Sequence, residues 1–331
     1  MIVPPKRLFE RYPASDRPIG PVLPIGNAGG FSGASLWRYP AARGEMVTRL
    51  WPVDGPDPSR LALIHQWLAR TGDLGFVPIP CVAHDGRTAV GLDGRLWEIA
   101  PWMPGSADPG RPPSPAHLRA AFGGLAAFLA RLAAGPTIGP SPGLARRVRE
   151  IEGLILGEFT AIRDRVDRSP GDPASPLTRA WLGRAVALAP SLAGTTRKLA
   201  GAPLPLQPCL RDARPDHFLF EGGRLTGLVD FGAMGVDSVA GDLARLLGEG
   251  VGRDRIARAG AFEAFESIRP LSAEERRAIG AFEAANALLG PARWARWHFL
   301  ESRTFDDSTA AVRGLERCLG RLDSWIRGES I

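Results

Sequence analysis

The chain has 331 residues, 44% hydrophobic and 23% charged. That is ordinary for a folded globular protein; it excludes disorder along the whole length and suits two modest lobes better than one small core. The net charge of +6 raises the question of an acidic partner, but only Lys6 and Lys198 are lysines, the arginines are scattered without a run of five, and acids lie among them. Nucleic acid is therefore not the expected partner, whereas a nucleotide or phosphorylated ligand would meet a favourable field.

Cys81, Cys209 and Cys318 are far apart and odd in number. They match neither a metal spacing nor a disulfide framework, and the expected location is a reducing cytoplasm. The stretch Met1–Arg7 lacks the apolar segment of a signal peptide. No uncharged apolar stretch reaches membrane-spanning length, since the most apolar helical pattern contains Arg119 and Arg131.

Residues 1–20 are rich in Pro and Arg and read as irregular. From residue 21 to 103 the pattern is that of a small β lobe. Gly26 to Gly33 form a glycine-dense turn, followed by strands over 34–39 and 45–50. Ser59 is the expected cap of a helix ending near Arg70, with Leu61, Ile64 and Leu68 as its apolar stripe. Strands over 88–92 and 96–102 are joined by the Asp93-Gly94 turn. Residues 104–331 read as a helical lobe. Ser114-Pro115 opens one helix, a second spans 145–165, a third spans 177–188, and Ser272 with Glu275 forms a capping box.

The helical lobe is broken by short β-like pieces between 204 and 236, and this break carries the chemistry. A catalytic loop over 208–217 contains Arg211-Asp212, and His217 follows Asp212 by five positions. Phe218–Phe220 and Leu225–Val229 form a hairpin around the turn at 221–224, and Asp230-Phe231-Gly232 closes it. Kinase catalytic loops read H-R-D-x-x-x-x-N followed by D-F-G. Phosphoryl transfer needs positioning and charge neutralisation more than covalent chemistry. One carboxylate, Asp212, would orient the acceptor hydroxyl and take its proton, and a second, Asp230, would hold Mg²⁺ against the phosphates.

The segment resembles the aminoglycoside phosphotransferase and choline-kinase-like superfamily. Its members show H-G-D-x-x-x-x-N, then a hydrophobic I-D-F/W, then a later Asp opening a helix, matched here by Asp242. The resemblance implies an α+β, two-lobed protein-kinase-like fold and an ATP- and Mg²⁺-dependent phosphotransferase acting on a small-molecule hydroxyl, with Mn²⁺ as an alternative metal. It implies catalytic roles for Asp212 and Arg211, and metal ligation by Asp230 and His217 within the loop 208–217 and the turn 230–232. It implies nucleotide contacts from Gly29, Gly30 and Ser32, from Arg49 at the position of the family's strand lysine, and from backbone near Ala100 and Trp102 at the hinge.

Several positions depart from the family pattern. Leu210 stands for the loop histidine, His217 for the metal-binding Asn, and Arg49 for the Lys, while the helix at 59–70 carries no acid to pair with it. The departures keep open a second reading, a catalytically impaired nucleotide-binding or protein-interaction module. Acids such as Glu249 and Glu283 and the cluster Trp294, Trp297, His298 and Phe299 would suit a cationic acceptor. The simpler reading makes them helix surface and core, so the acceptor stays unassigned.

Overall fold

The computed structural model describes residues 3–26, 33–107, 114–133, 135, 137–303, 307 and 309–328. Alternating strands build the first half. After a short helix α1 (Lys6–Phe9), β1 (Leu23–Gly26), β2 (Ser35–Ala41), β3 (Gly44–Leu50), β4 (Ala89–Leu92) and β5 (Arg95–Pro101) form an antiparallel sheet in the order β1-β2-β3-β5-β4. Period-two patterning sends Trp37, Tyr39, Met46, Leu50, Trp97 and Ile99 to one face, where they pack with Leu8, Phe9 and Tyr12.

Helix α2 (Pro58–Ala69) crosses between β3 and β4. Its cap is Asp57 rather than Ser59: the Asp57 carboxylate accepts the Arg60 N–H at 2.9 Å and Pro58 takes the first helical position, where a missing N–H costs nothing. Ile64 and Leu68 join the core of the helical half, so α2 ties the two halves together.

In the second half, β6 (Ser106–Ala107) is followed by α3 (Pro115–Leu132), β7 (Thr137–Gly139) and α4 (Pro142–Gly153). The single helix expected over 145–165 is interrupted by a wide turn at Leu154–Glu158, where Gly157 leaves helical backbone, before α5 (Phe159–Arg168) resumes. Helix α6 (Ser175–Ala200) is longer than the expected 177–188 and runs through Pro190. Its buried stripe continues through Ala189, Leu192, Ala193 and Thr196, and that packing outweighs one lost hydrogen bond.

Two small sheets then form the chemical segment. Strands β8 (Leu204–Cys209) and β11 (Gly235–Asp237) pair beside β7, and β9 (Phe218–Glu221) with β10 (Arg224–Leu228) pairs beside β6. Helices α7 (Ala240–Leu246), α8 (Arg255–Glu266), α9 (Ala273–Ala295) and α10 (Ala310–Ile326) complete the chain, and α9 starts on the expected Ser272/Glu275 capping box. Wide π-type turns at Leu247–Val251 and Arg296–Leu300 follow α7 and α9. The architecture is the two-lobed, kinase-like one: a small antiparallel sheet against a larger helical lobe. Among the described residues no helix is long and apolar enough to cross a membrane.

Candidate phosphotransfer site

The loop after β8 is held from beneath. Asp242, 1% exposed on α7, accepts the Leu210 N–H at 2.8 Å on one oxygen and the Arg211 N–H at 2.7 Å on the other. These two bonds fix the start of the loop although Arg211 sits at φ 64. Burial, only partly offset by the two N–H bonds, pushes the Asp242 carboxyl up to about 7, and the charges of Asp237 and Asp212 add to the rise. The departure at Leu210 is structural here: its side chain is buried in the main core.

Arg211 turns towards the base of the loop. Its Nε lies 3.9 Å from the Asp237 carboxylate, and its guanidinium lies over Gly235, where an added Cβ would come within 2.7 Å. Asp237 is itself buried and fixed by the Ser141 hydroxyl at 2.6 Å and the Ser238 N–H at 2.9 Å.

His217 links the main chain of Asp212 to the side chain of Asp230. The His217 ring nitrogen Nδ1 lies 2.9 Å from the Asp212 carbonyl oxygen. A carbonyl only accepts, so Nδ1 carries the proton and, in the neutral ring, Nε2 keeps its lone pair. That nitrogen lies 3.7 Å from Asp230 Oδ2. Two donors about 2.1 Å from one octahedral ion stand about 3 Å apart, so a small closing movement would let both reach a shared cation. Among the described residues no group of three His, Cys, Asp or Glu could hold a metal. A two-donor set fits an ion whose other ligands are phosphate oxygens and water, as magnesium sites are commonly built. The nitrogen donor suits Mn²⁺ better than Mg²⁺.

The turn carrying Asp230 is anchored on both sides. Asp230 sits at φ 66, Phe231 is buried and stacked on Phe128 at 5.7 Å, and Gly232 lies against the Trp51 ring, 3.1 Å from where a Cβ would be. Arg60 NH2 donates to the Gly232 carbonyl at 3.3 Å. Trp51, just beyond β3, and Arg60 of α2 thereby bring the β lobe against the turn.

Arg49 lies on β3, opposite Glu98 on β5. Glu98 lies 3.5 Å from Arg49 Nε and accepts from His65 Nε2 at 2.9 Å, while the Thr88 hydroxyl meets His65 Nδ1 at 2.6 Å. The acid missing from α2 is thus supplied by a strand, and His65 of α2 reaches it. The sequence carried the signal in Glu98, but only the non-sequential pairing of β3 with β5 brings it to Arg49. Burial opposes ionisation of Glu98, yet His65 and Arg49 outweigh it and hold the carboxyl below its ordinary value.

At the hinge, Ala100 faces Val47 across the sheet. The Trp102 N–H donates to the Glu45 carbonyl at 2.9 Å and its ring lies 4.8 Å from the Arg38 guanidinium carbon. That N–H is therefore committed to the sheet rather than available to adenine. Gly29, Gly30 and Ser32 lie outside the described residues.

A cavity of about 560 Å³ opens beside the loop, lined by Arg214, Pro215 and Asp216, by α3, by α7 and the turn after it, and by α9 and α10. Arg245, absent from the sequence reading, joins it to the site: it lines the cavity, and its NH2 lies 3.3 Å from Asp212 Oδ1. It stands three residues after Asp242 on α7, which is the signal that could have found it. Trp294 and Trp297, expected as core, are half-buried and line the same cavity.

A two-lobed fold with two carboxylates on a loop and a following hairpin turn defines the class of kinase-like phosphotransferases. Residues 25–279 match the model of the phosphotransferase enzyme family, and the chain belongs to that family. A comparison with curated protein sequences finds no match. Among solved structures it is similar to an aminoglycoside phosphotransferase from Alicyclobacillus acidocaldarius, at 16% identity and TM-score 0.67 over 99% of this chain and 95% of that one. It is similar to an amicoumacin kinase in complex with AMP-PNP, Ca²⁺ and Ami, at 12% identity and TM-score 0.64 over 95% of each chain. It is also similar to a spectinomycin phosphotransferase in complex with ADP and spectinomycin, at 12% identity and TM-score 0.62 over the whole of both chains.

Proposed function

We propose that the protein transfers the γ-phosphoryl group of ATP to a hydroxyl of a small molecule. The observation that carries this reading is that His217 ties the backbone of Asp212 to the turn bearing the Asp230 carboxylate, with the cavity opening beside Asp212 at Arg245. Family membership supports the reaction class.

Asp212 accepts the proton of the acceptor hydroxyl as its oxygen attacks the γ-phosphorus; one P–O bond forms, and the bond to the ADP oxygen breaks. Asp230 and His217 would hold a divalent cation, which supplies charge neutralisation at the phosphates when bound. Arg49, held by Glu98, donates to the phosphates, and its planar fork suits their oxygens. Arg211, turned to Asp237, supports the loop rather than touching the reacting groups.

The test is ATP consumption over an acceptor library with Mg²⁺ or Mn²⁺. Asp212→Asn should lower acceptor-dependent turnover by about 10³-fold while nucleotide binding persists. Undiminished turnover in that variant overturns the role of Asp212.

A nucleotide-binding module without catalysis is the second reading, favoured by Arg245, whose ion pair occupies the Asp212 carboxylate. It predicts a thermal shift with ATP and metal but no turnover with any acceptor.

A further inference from the structure

The cavity wall is strongly cationic. Arg214, Arg245, Arg253, Arg293, Arg317 and Arg321 line it, against the carboxylates Asp216, Glu249 and Glu283. All three acids are already engaged. Both Glu283 oxygens accept from Arg258 at 2.8 Å, outside the lining. Asp216 accepts from Arg214 at 2.9 and 3.0 Å. Glu249 is shared by Arg245 at 3.2 Å, Arg321 at 3.1 Å and Arg214 at 4.0 Å.

Arg253, Arg293 and Arg317 have no carboxylate within ion-pair distance among the described residues. Among the described residues Arg253 donates to the Trp325 carbonyl, at 3.4 Å. Two further donors in the lining are buried without a partner, Arg245 Nε and Asn286 Nδ2. The two buried donors are costly unless an occupant supplies acceptors, and the three arginines without an ion-pair partner leave the wall with an excess of positive charge that such an occupant would meet.

We propose that the acceptor is an anionic hydroxyl compound, its carboxylate or phosphate held by Arg293 and Arg253 and its carbon frame laid against Trp294, Trp297 and Trp325. This rests on reading the cavity as the acceptor side of a phosphotransferase. Arg293 is exposed into the cavity yet ringed by protein, and burial with repulsion from Arg245 draws its pKa down. An anion beside it relieves that repulsion. A polycationic amine would meet arginines from the loop, α7, α9 and α10 and, among the described lining residues, no carboxylate without an arginine partner.

The experiment uses the full chain and two probe sets matched except for charge. One is glucose, glucosamine, gluconate and glucose 6-phosphate; the other is tyrosol, tyramine and 4-hydroxyphenylacetate. Binding is read by thermal shift and calorimetry without nucleotide, then by ATP consumption with nucleotide and metal. At least one anion should bind more tightly than its neutral and cationic partners. Arg293→Glu should weaken that anion by about tenfold or more and leave the shift caused by ATP and metal in place. Arg253→Gln gives the same direction if Arg293→Glu does not fold.

Tighter binding of the amines, no binding by any anion, or anion binding that survives both substitutions overturns the proposal. The phosphotransferase reading fails separately. Turnover of a cationic acceptor sinks the anion pocket and leaves that reading standing, whereas tight anion binding with no turnover of any acceptor does the reverse.

Discussion

Glu98 on β5 stands 3.5 Å from Arg49 on β3, a cross-strand ion pair that, under the proposed function, would hold Arg49 for the phosphates. His65 locks the same carboxylate at 2.9 Å, so one acid serves two cationic or donor side chains. A cation orienting on phosphate needs a fixed partner, and a strand residue buried beneath the sheet fixes it well.

Glu98→Gln should therefore raise the KM for ATP several-fold with a smaller change in kcat, read from steady-state kinetics at saturating acceptor. Glu98→Ala leaves Arg49 and His65 without their acid and should cost about 3 kcal/mol in a urea melt. The folded-state carboxyl lies below its ordinary value of 4.5. Its contribution to stability is therefore complete above about that pH and is lost as pH falls through the lower folded value. The gap between wild type and Glu98→Gln should narrow in acid; a constant gap between pH 3 and 7 would contradict the assignment.

His217 predicts a change of metal preference. Its Nε2 faces Asp230 at 3.7 Å, and an imidazole nitrogen is a poorer partner for Mg²⁺ than an amide oxygen. His217→Asn should raise activity and the nucleotide-dependent thermal shift with Mg²⁺ relative to Mn²⁺. An unchanged ratio of the two metals would remove His217 from the metal site.

The order of elements and the Asp212 to Asp230 segment were legible in the sequence because local spacing and a hairpin turn encode them. The cap of α2 was expected at Ser59 rather than Asp57, and Pro58 between them is the first helical residue. The long α6 was missed because its stripe continues past Pro190, and only packing against α4 and α9 makes that tolerable. Glu98 and Arg245 were missed for a different reason. Each acts on a residue far away in sequence, Arg49 and Asp212, and a pairing across β3 and β5 or between α7 and the loop is a tertiary fact. The Arg-rich cavity is also of this kind, since its arginines come from the loop, from α7 and the segment just after its wide turn, and from α9 and α10.

Gly143 predicts a close-packing requirement. A Cβ there would stand 2.2 Å from Asp237 Oδ2, and Asp237 cannot yield because Ser141, Ser238 and Arg211 hold it. Gly143→Ala should destabilise the fold by about 1–3 kcal/mol, although alanine favours helices. A stabilised variant, read by chemical denaturation, would mean that the contact relaxes freely.

Asp242 ties stability to pH in the opposite direction from Glu98. Its carboxyl is raised to about 7 from an ordinary 3.8, mainly by burial. Between those values the folded chain binds more protons than the unfolded one, so this group's contribution weakens stability as pH rises from about 4 to about 7 and then levels off. Asp242→Asn removes the titration but offers one acceptor to the two N–H groups of Leu210 and Arg211, which should cost about 1–3 kcal/mol at pH 5. The variant's deficit should shrink or reverse by pH 7.5, because only the wild type then carries the buried charge. The deficit is measured from urea midpoints at the two pH values, with acceptor-dependent turnover followed in parallel. Turnover should fall at both, since the loop bearing Asp212 loses a bond at its base. A deficit independent of pH would mean that the Asp242 carboxylate is as well stabilised in the fold as in water.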